Sequence, residues 1–227
     1  MRRLAIDTSS TACSVAVRMD DELYERHEEK AREHTRLLMP MIRETLGAAG
    51  AGLADLDAVV LGNGPGSFIG MRIATSVAQG LAFGAGLQII PVSSLAAVAL
   101  QAFDGSDIER VAVAQDAHMS EVYLGLYARD ARDSLVSVGE ERLHGLAAID
   151  ALQNTAERFA IAGQGWERYP ELLAANSAWV QPGLTVRYPR AASLLALSKR
   201  LAAISPDAVQ PAYLRHQVAS ISGAGES

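Results

Sequence analysis

Apolar positions along the chain change period several times, and each change marks an element. Arg3 to Ile6 is a short apolar run that stops at Asp7 in the polar turn DTSST. Ala12 to Met19 then alternates, with Cys13, Val15 and Val17 on one side and Ser14 and Ala16 on the other. A third segment, Leu23 to Glu28, follows the turn residues Asp20 and Asp21, so three antiparallel strands open the fold. The period then lengthens: Leu38, Ile42, Leu46 and Ala49 share one face of a helix that Thr35 is placed to cap, with Pro40 near its start and Gly47 and Gly50 near its end. Leu56 to Leu61 is a wholly apolar strand, Met71 to Phe83 a helix, Ile89 to Val92 a strand and Leu95 to Phe103 a helix.

The same succession then recurs. Val111 to Gln115 ends at Asp116 and the turn AHMS, Val122 to Tyr127 alternates, Leu135 to Gly139 supplies a third strand and Leu146 to Leu152 a helix. Phe159 to Ala162 leads into the glycine turn GQGW, followed by a helix around Leu172 to Ala175, a strand at Trp179 to Gln181 and a helix from Ala192 to Ile204. Asp7 matches Asp116, and Gly64 to Gly66 stands where Gly163 to Gly165 stands in the second half. Each copy holds enough elements to bury its own sheet, so this is a duplicated domain rather than a solenoid unit. The fold class is α/β, with two βββαβαβα lobes sharing a cleft, the plan of the actin, Hsp70 and sugar-kinase (ASKHA) superfamily. The turn-forming stretch FDGSD places the boundary so that residues 1–105 form the N-terminal lobe and 106–220 the smaller C-terminal lobe. The stretch 221–227 has no apolar period and reads as a flexible tail.

Composition narrows the functional classes. At 227 residues, the chain should bury about 70 to 75% of its unfolded surface. Apolar residues make up 49% and aromatics only 5%, so the core is aliphatic. A net charge of −6 lacks the basic excess that grips nucleic acid unaided, and work on RNA would need a partner to hold it. The single cysteine, Cys13, excludes an internal disulfide and fits a reducing compartment. No run approaches the ~20 apolar residues of a membrane span, and MRRLAIDTSS is too short in apolar residues for a signal peptide, which points to the cytoplasm.

The stretch GNGPGSFIGMR, Gly62 to Arg72, joins a buried strand to a helix. Its backbone N–H groups and the helix dipole suit an anion, which makes Gly64, Gly66, Ser67 and Gly70 a candidate anion site. The spacing fits neither a Walker loop nor a dinucleotide fingerprint. The alternative is a tight corner in which Gly64 and Gly66 permit φ > 0 and Ser67 caps the helix. Behind it, Gly70, Ala74, Ala78 and Ala82 repeat every four residues beside a second small row, Ser76, Gly80 and Gly84. Interior glycines cost about 0.8–1 kcal/mol each relative to alanine, and close approach of another helix, from this chain or another subunit, would repay that. Asp7 and Asp116 end equivalent strands and are expected to face each other across the cleft, either positioning a hydrated cation or, the better fit to turns lacking glycine, capping their own turns. The histidines His27, His34, His118, His144 and His216 include no helical i, i+4 pair, so no metal site is expected, and Ser67 has neither a GxSxG elbow nor a histidine placed by spacing.

LAIDTSSTACSVAV, REHTRLLMP, GNGPGSFIGMRIATSVAQGLAFG, DAHMSEVY, GQGW and PAYLR, in this order over almost the whole chain, together resemble the TsaB (YeaZ) family. The resemblance implies a non-catalytic partner of a catalytic TsaD-like subunit, working with a TsaE-like ATPase and with tRNA through the complex, to place threonylcarbamoyl on adenosine 37 of tRNAs that read codons beginning with A. ATP or ADP and the metal then belong to the complex. The catalytic sister family carries two metal-binding histidines on the helix after the Ile89 to Val92 strand, and Ser94 and Val98 align with them here. The resemblance also implies that the first lobe docks the partner, with Leu38, Ile42, Ala74, Ala78 and Leu81 as interface residues and Arg72 at the edge, and that the same surface forms a homodimer when the chain is alone. Two other readings are an independent ATPase or small-molecule kinase, suggested by the two-lobed plan and the paired aspartates, and a metallopeptidase, which only the resemblance to the sister family implies.

Overall fold

The computed structural model describes residues 1–104, 106–131, 134–153, 158–181 and 185–214. Strands β1 (Arg3–Asp7), β2 (Ala12–Met19) and β3 (Glu22–Glu29) form an antiparallel meander. Helix α1 (His34–Ala48) leads to β4 (Ala58–Gly62), which lies parallel to β1, and helix α2 (Phe68–Ala85) leads to β5 (Gln88–Val92), parallel to β4. The sheet order is β3-β2-β1-β4-β5. After helix α3 (Ser94–Phe103) come β6 (Arg110–Asp116), β7 (Glu121–Arg129), β8 (Leu135–Ser137) and β9 (Arg142–Gly145), then α4 (Asp150–Gln153) and β10 (Phe159–Ala162). Helices α5 (Gly165–Arg168) and α6 (Pro170–Asn176), strand β11 (Val180–Gln181) and helix α7 (Ala191–Leu197) complete the set. The second sheet runs β11-β10-β6-β7-β8, which repeats the order of the first.

Strand alternation decides what each face meets. Leu4, Ile6, Val59 and Leu61 point to the face covered by α1 and α2, where they pack on Leu38, Ile42, Ala74 and Ala78. Ala5, Ala16, Ala58 and Val60 point the other way, onto Leu194 and Leu195 of α7 and Ala97 of α3. The small residues on that face let α7 lie close to the sheet. Helix α3 sends Leu95, Val98, Ala102 and Phe103 instead into the second sheet, against Val111, Val113 and Tyr127. The far face of the second sheet holds Leu124, Ile161, Trp166 and Leu172. The halves therefore exchange helices. α3, from the first half of the chain, covers the second sheet, and α7, from the second half, covers the first.

Several expectations change at this level. Residues 106–220 are expected to form the C-terminal lobe, but 191–209 run back along the first sheet, because the alanine face of β1, β2 and β4 needs an apolar cover. The helix foreseen from Ala192 to Ile204 ends at Leu197. Ser198 there donates to the Leu195 carbonyl at 2.8 Å and accepts from Arg3 at 2.8 Å, and Ile204 then pairs with Ile89, occupying the edge of β5. The 146–152 helix shrinks to α4, and RLHG, which has no apolar alternation, forms β9 beside β7. Thr35 does not cap α1: the cap position is Glu33, which has no side-chain capping bond, and Thr35 lies in the first turn. His216 and the stretch 221–227 lie outside the described residues.

Candidate functional site

The glycine loop is built around the first turn of the chain. A Cβ on Gly66 would stand 2.2 Å from the Ser9 carbonyl oxygen, and one on Gly70 only 1.9 Å from that of Thr8. Gly64 has φ +83 and leaves no room for a side chain beside Met71. Hydrogen bonds close the junction. Ser67 N–H donates to the Ser9 carbonyl at 2.6 Å, Thr8 Oγ1 to the Gly70 carbonyl at 2.6 Å, and Gly64 N–H to Ser94 Oγ at 3.1 Å. Ser67 is the N-cap of α2, accepting from Gly70 N–H at 3.3 Å. The amides of Gly64, Ser67 and Gly70 are thus bonded inside the protein, as in a tight corner, and of the two corner glycines Gly64 has φ > 0 while Gly66 does not. GQGW repeats the device, with Gly163 at φ +93 and its Cβ position 2.2 Å from the Ala114 carbonyl oxygen.

Both aspartates cap their own turns. Asp7 Oδ1 accepts from Ser9 N–H at 2.8 Å, and Asp116 Oδ1 from His118 N–H at 2.8 Å. They do not face each other, however. Asp7 is fully enclosed, with Oδ2 accepting from Ser94 Oγ at 2.6 Å, whereas Asp116 stands in the wall of the inter-lobe cleft and accepts from Tyr169 Oη at 2.8 Å. Burial raises the Asp7 pKa, against the opposing pull of the Ser94 and Ser9 hydrogen bonds. Ser94 is committed to Asp7, and Val98 lies in the core under the second sheet.

The cleft encloses about 630 Å³ between the Ser9–Thr11 turn, the start of α1, the start of α2 and the ends of β6 and β10. Arg32, Thr35, His118 and Gln164 supply polar groups. His34 and Gln115 are buried in its wall with Nδ1 and Oε1, respectively, unpartnered among the described residues. Burial lowers the His34 pKa and so favours the neutral ring. The turn beside Asp116 holds His118, Met119 and Ser120 all in the left-handed region, at φ 60, 55 and 57. Neither the strain nor the unpaired acceptors left any signal in composition or periodicity.

The expected interface residues divide. Leu38, Ile42, Ala74 and Ala78 are core residues under the first sheet, and Leu81 is partly buried against the same core, so none of the four buried ones is free to touch a partner. The physical reason is the alanine stripe itself: Gly70, Ala74, Ala78 and Ala82 let α2 lie close to its own sheet. The second row is the outward one. Ser76, Gly80 and Gly84 are exposed, and nothing stands within 4 Å of a Cβ placed on Gly80 or Gly84. Ile69 is 70% exposed and Phe83 85% exposed at the two ends of this row, with Ile73 and Val77 half-buried along it. Arg72 sits at the near end, its guanidinium 3.7 Å over the Phe68 ring and its Nε donating to Tyr213 Oη at 3.0 Å.

Among the described residues there is no group of three or more metal-ligating side chains and no helix long and apolar enough to cross a membrane. A family model described as "TsaD: tRNA N6-adenosine threonylcarbamoyltransferase" matches residues 26–222. The tRNA threonylcarbamoyladenosine biosynthesis protein TsaB of Escherichia coli (strain K12) is 36% identical over 226 residues, covering 96% of this chain and 96% of the relative. TsaB of Haemophilus influenzae is 37% identical over 227 residues, covering 95% and 94%. Among solved structures, YeaZ from Pseudomonas aeruginosa matches with a TM-score of 0.84 at 35% identity, covering 94% of this chain and 99% of that one.

Proposed function

The chain belongs to the TsaB (YeaZ) family and so serves tRNA threonylcarbamoyladenosine biosynthesis, and from that premise we propose that it is the accessory, non-catalytic subunit of the transferase. In this reading it docks a catalytic TsaD-like subunit through the outward face of α2 and works with a TsaE-like ATPase in the cytoplasm. The complex, rather than this chain, holds the tRNA, the nucleotide and the metal. The observation that carries the reading is the outward row of α2. It joins exposed apolar side chains at Ile69 and Phe83 to the small residues Ser76, Gly80 and Gly84, so a second helix can approach the backbone closely while Phe83 anchors it. Without the partner, the same face pairs with a second copy of itself.

The chemistry available in this chain agrees with a docking role. Asp7 is sealed against Ser94 and Ser9, and the loop amides at Gly64, Ser67 and Gly70 are already bonded. An independent kinase-like activity would need that carboxylate and those amides free. A reconstituted modification assay tests the proposal, with the catalytic subunit, the ATPase, tRNA and the activated threonylcarbamoyl donor present and this chain supplied or withheld. Product should form only when both it and the catalytic subunit are present. Product from this chain without the catalytic subunit, or an unchanged rate when it is withheld, would overturn the reading.

A further inference from the structure

The antiparallel register of β1 and β2 sets two cations side by side. Arg3 stands directly opposite Arg18, so both side chains leave the sheet on the face that carries Ala5 and Ala16 and is covered by α7. Like charges opposite each other on a strand pair are destabilising unless a counter-charge joins them. The chain supplies little of one. Arg3 Nη1 donates to Ser198 Oγ at 2.8 Å, which ties this guanidinium to the residue that follows α7. Arg18 makes no hydrogen bond or ion pair among the described residues, and the Nε–H groups of both arginines are enclosed without an acceptor there.

The carboxylates of this edge are engaged elsewhere. Asp20 takes the N-terminal ammonium and Arg2, while Asp57 accepts from Arg2 N–H at 2.7 Å and acts on Arg3 only through space. On β3 the residue opposite Arg18 is Leu23, and Glu25 is bonded to Arg190. Burial lowers the Arg3 pKa, and Asp57 offsets part of that, so the guanidinium has lost water without gaining a full counter-charge. Paired guanidiniums suit a tetrahedral oxyanion, because each offers a planar fork of N–H donors and the shared negative charge removes their repulsion. We infer that Arg3 and Arg18 are the two halves of a binding site for a phosphate group, with Ser198 holding Arg3 in place and the unbonded Nη groups of Arg18 meeting phosphate oxygen. The site lies across the first sheet from α1 and α2, and the inference does not rest on the docking role of α2. Free phosphate and an RNA backbone offer the same chemistry, and the test separates them.

The arginine Nε–H resonances of the isotopically labelled full chain would be followed as inorganic phosphate replaces chloride at constant ionic strength, and again with a short single-stranded RNA that has no terminal phosphate. The Arg3 and Arg18 signals should move saturably with at least one probe, and the probe that binds more tightly names the source. Arg3→Gln and Arg18→Gln should each lower that affinity at least about tenfold, whereas Arg43→Gln, on α1 at the other face of the sheet, should leave it unchanged. The tighter probe should also raise the urea midpoint of the wild type more than that of Arg18→Gln, a variant that breaks no bond of the folded chain and so keeps the test open if Arg3→Gln folds poorly. No saturable movement at Arg18 with either probe at millimolar concentration, affinity unchanged in Arg18→Gln, or an equal loss in Arg43→Gln would each overturn the inference.

Discussion

Glycines with the same place in the sequence pattern have opposite roles, and substitution separates them. Gly70→Ala would drive a methyl to within 1.9 Å of the Thr8 carbonyl oxygen, a backbone atom that the first turn holds in place. The expected cost is about 1–3 kcal/mol or more, read as a lower urea midpoint. Gly80→Ala meets only open space on a helix interior and should stabilise the chain by about 0.8–1 kcal/mol while weakening partner docking, because the added methyl holds the facing helix away. The buried thiol gives a pH test. Burial first, then the Asp7 and Glu28 carboxylates, push the Cys13 pKa from 9.0 up to about 12. Between those values the unfolded chain loses the thiol proton and the folded chain keeps it, so stability falls as pH rises from 9.0 towards 12. Denaturation midpoints of the wild type should fall more steeply over that window than those of Cys13→Ala. At this scale the sequence announced the glycines and the lone cysteine. Which glycines meet a carbonyl depends on the distant Thr8–Ser9 turn, and spacing within one segment carries no information about that approach.

Strands were the most legible elements, because a strand writes its two faces into alternate residues, as β2 does with Cys13, Val15 and Val17 on one face and Ser14 and Ala16 on the other, both faces being buried. Short helices under a sheet were less so. α7 is apolar on every side, so its period could not say where it stops, and the bonds of Ser198 and the Ile89–Ile204 pairing set its end. For the candidate site, the outward face of α2 was half legible: both small-residue rows were visible, but only the packing of the helix on its own sheet tells which row is left over. That remainder is the basis of a further prediction. Phe83→Asp alters a side chain that is 85% exposed and should change stability by no more than about 0.5 kcal/mol. The same change should cut affinity for the proposed catalytic partner by at least about tenfold in titration calorimetry, since it places a charge at the apolar end of the proposed docking face. Unchanged affinity would remove α2 from the interface.

At the scale of the whole molecule, the duplicated topology could be read from the order of elements, while the exchange of α3 and α7 between the halves could not, because it is a property of which faces remain uncovered. Leu194 of α7 is wholly buried under the first sheet, so Leu194→Ala should cost about 2–5 kcal/mol. Calorimetry should show one shifted transition for that variant, not a separate early one, as each half's core contains a helix from the other. Two transitions would mean that the lobes melt independently. The exchange also sets how the gene could be divided. Two polypeptides separated just after α3 would each have a sheet with one naked alanine- or valine-lined side, so each alone should be sticky and unfolded. Brought together they should knit into a native-like pair, which makes this scaffold a natural split reporter whose reassembly can be scored in a cell.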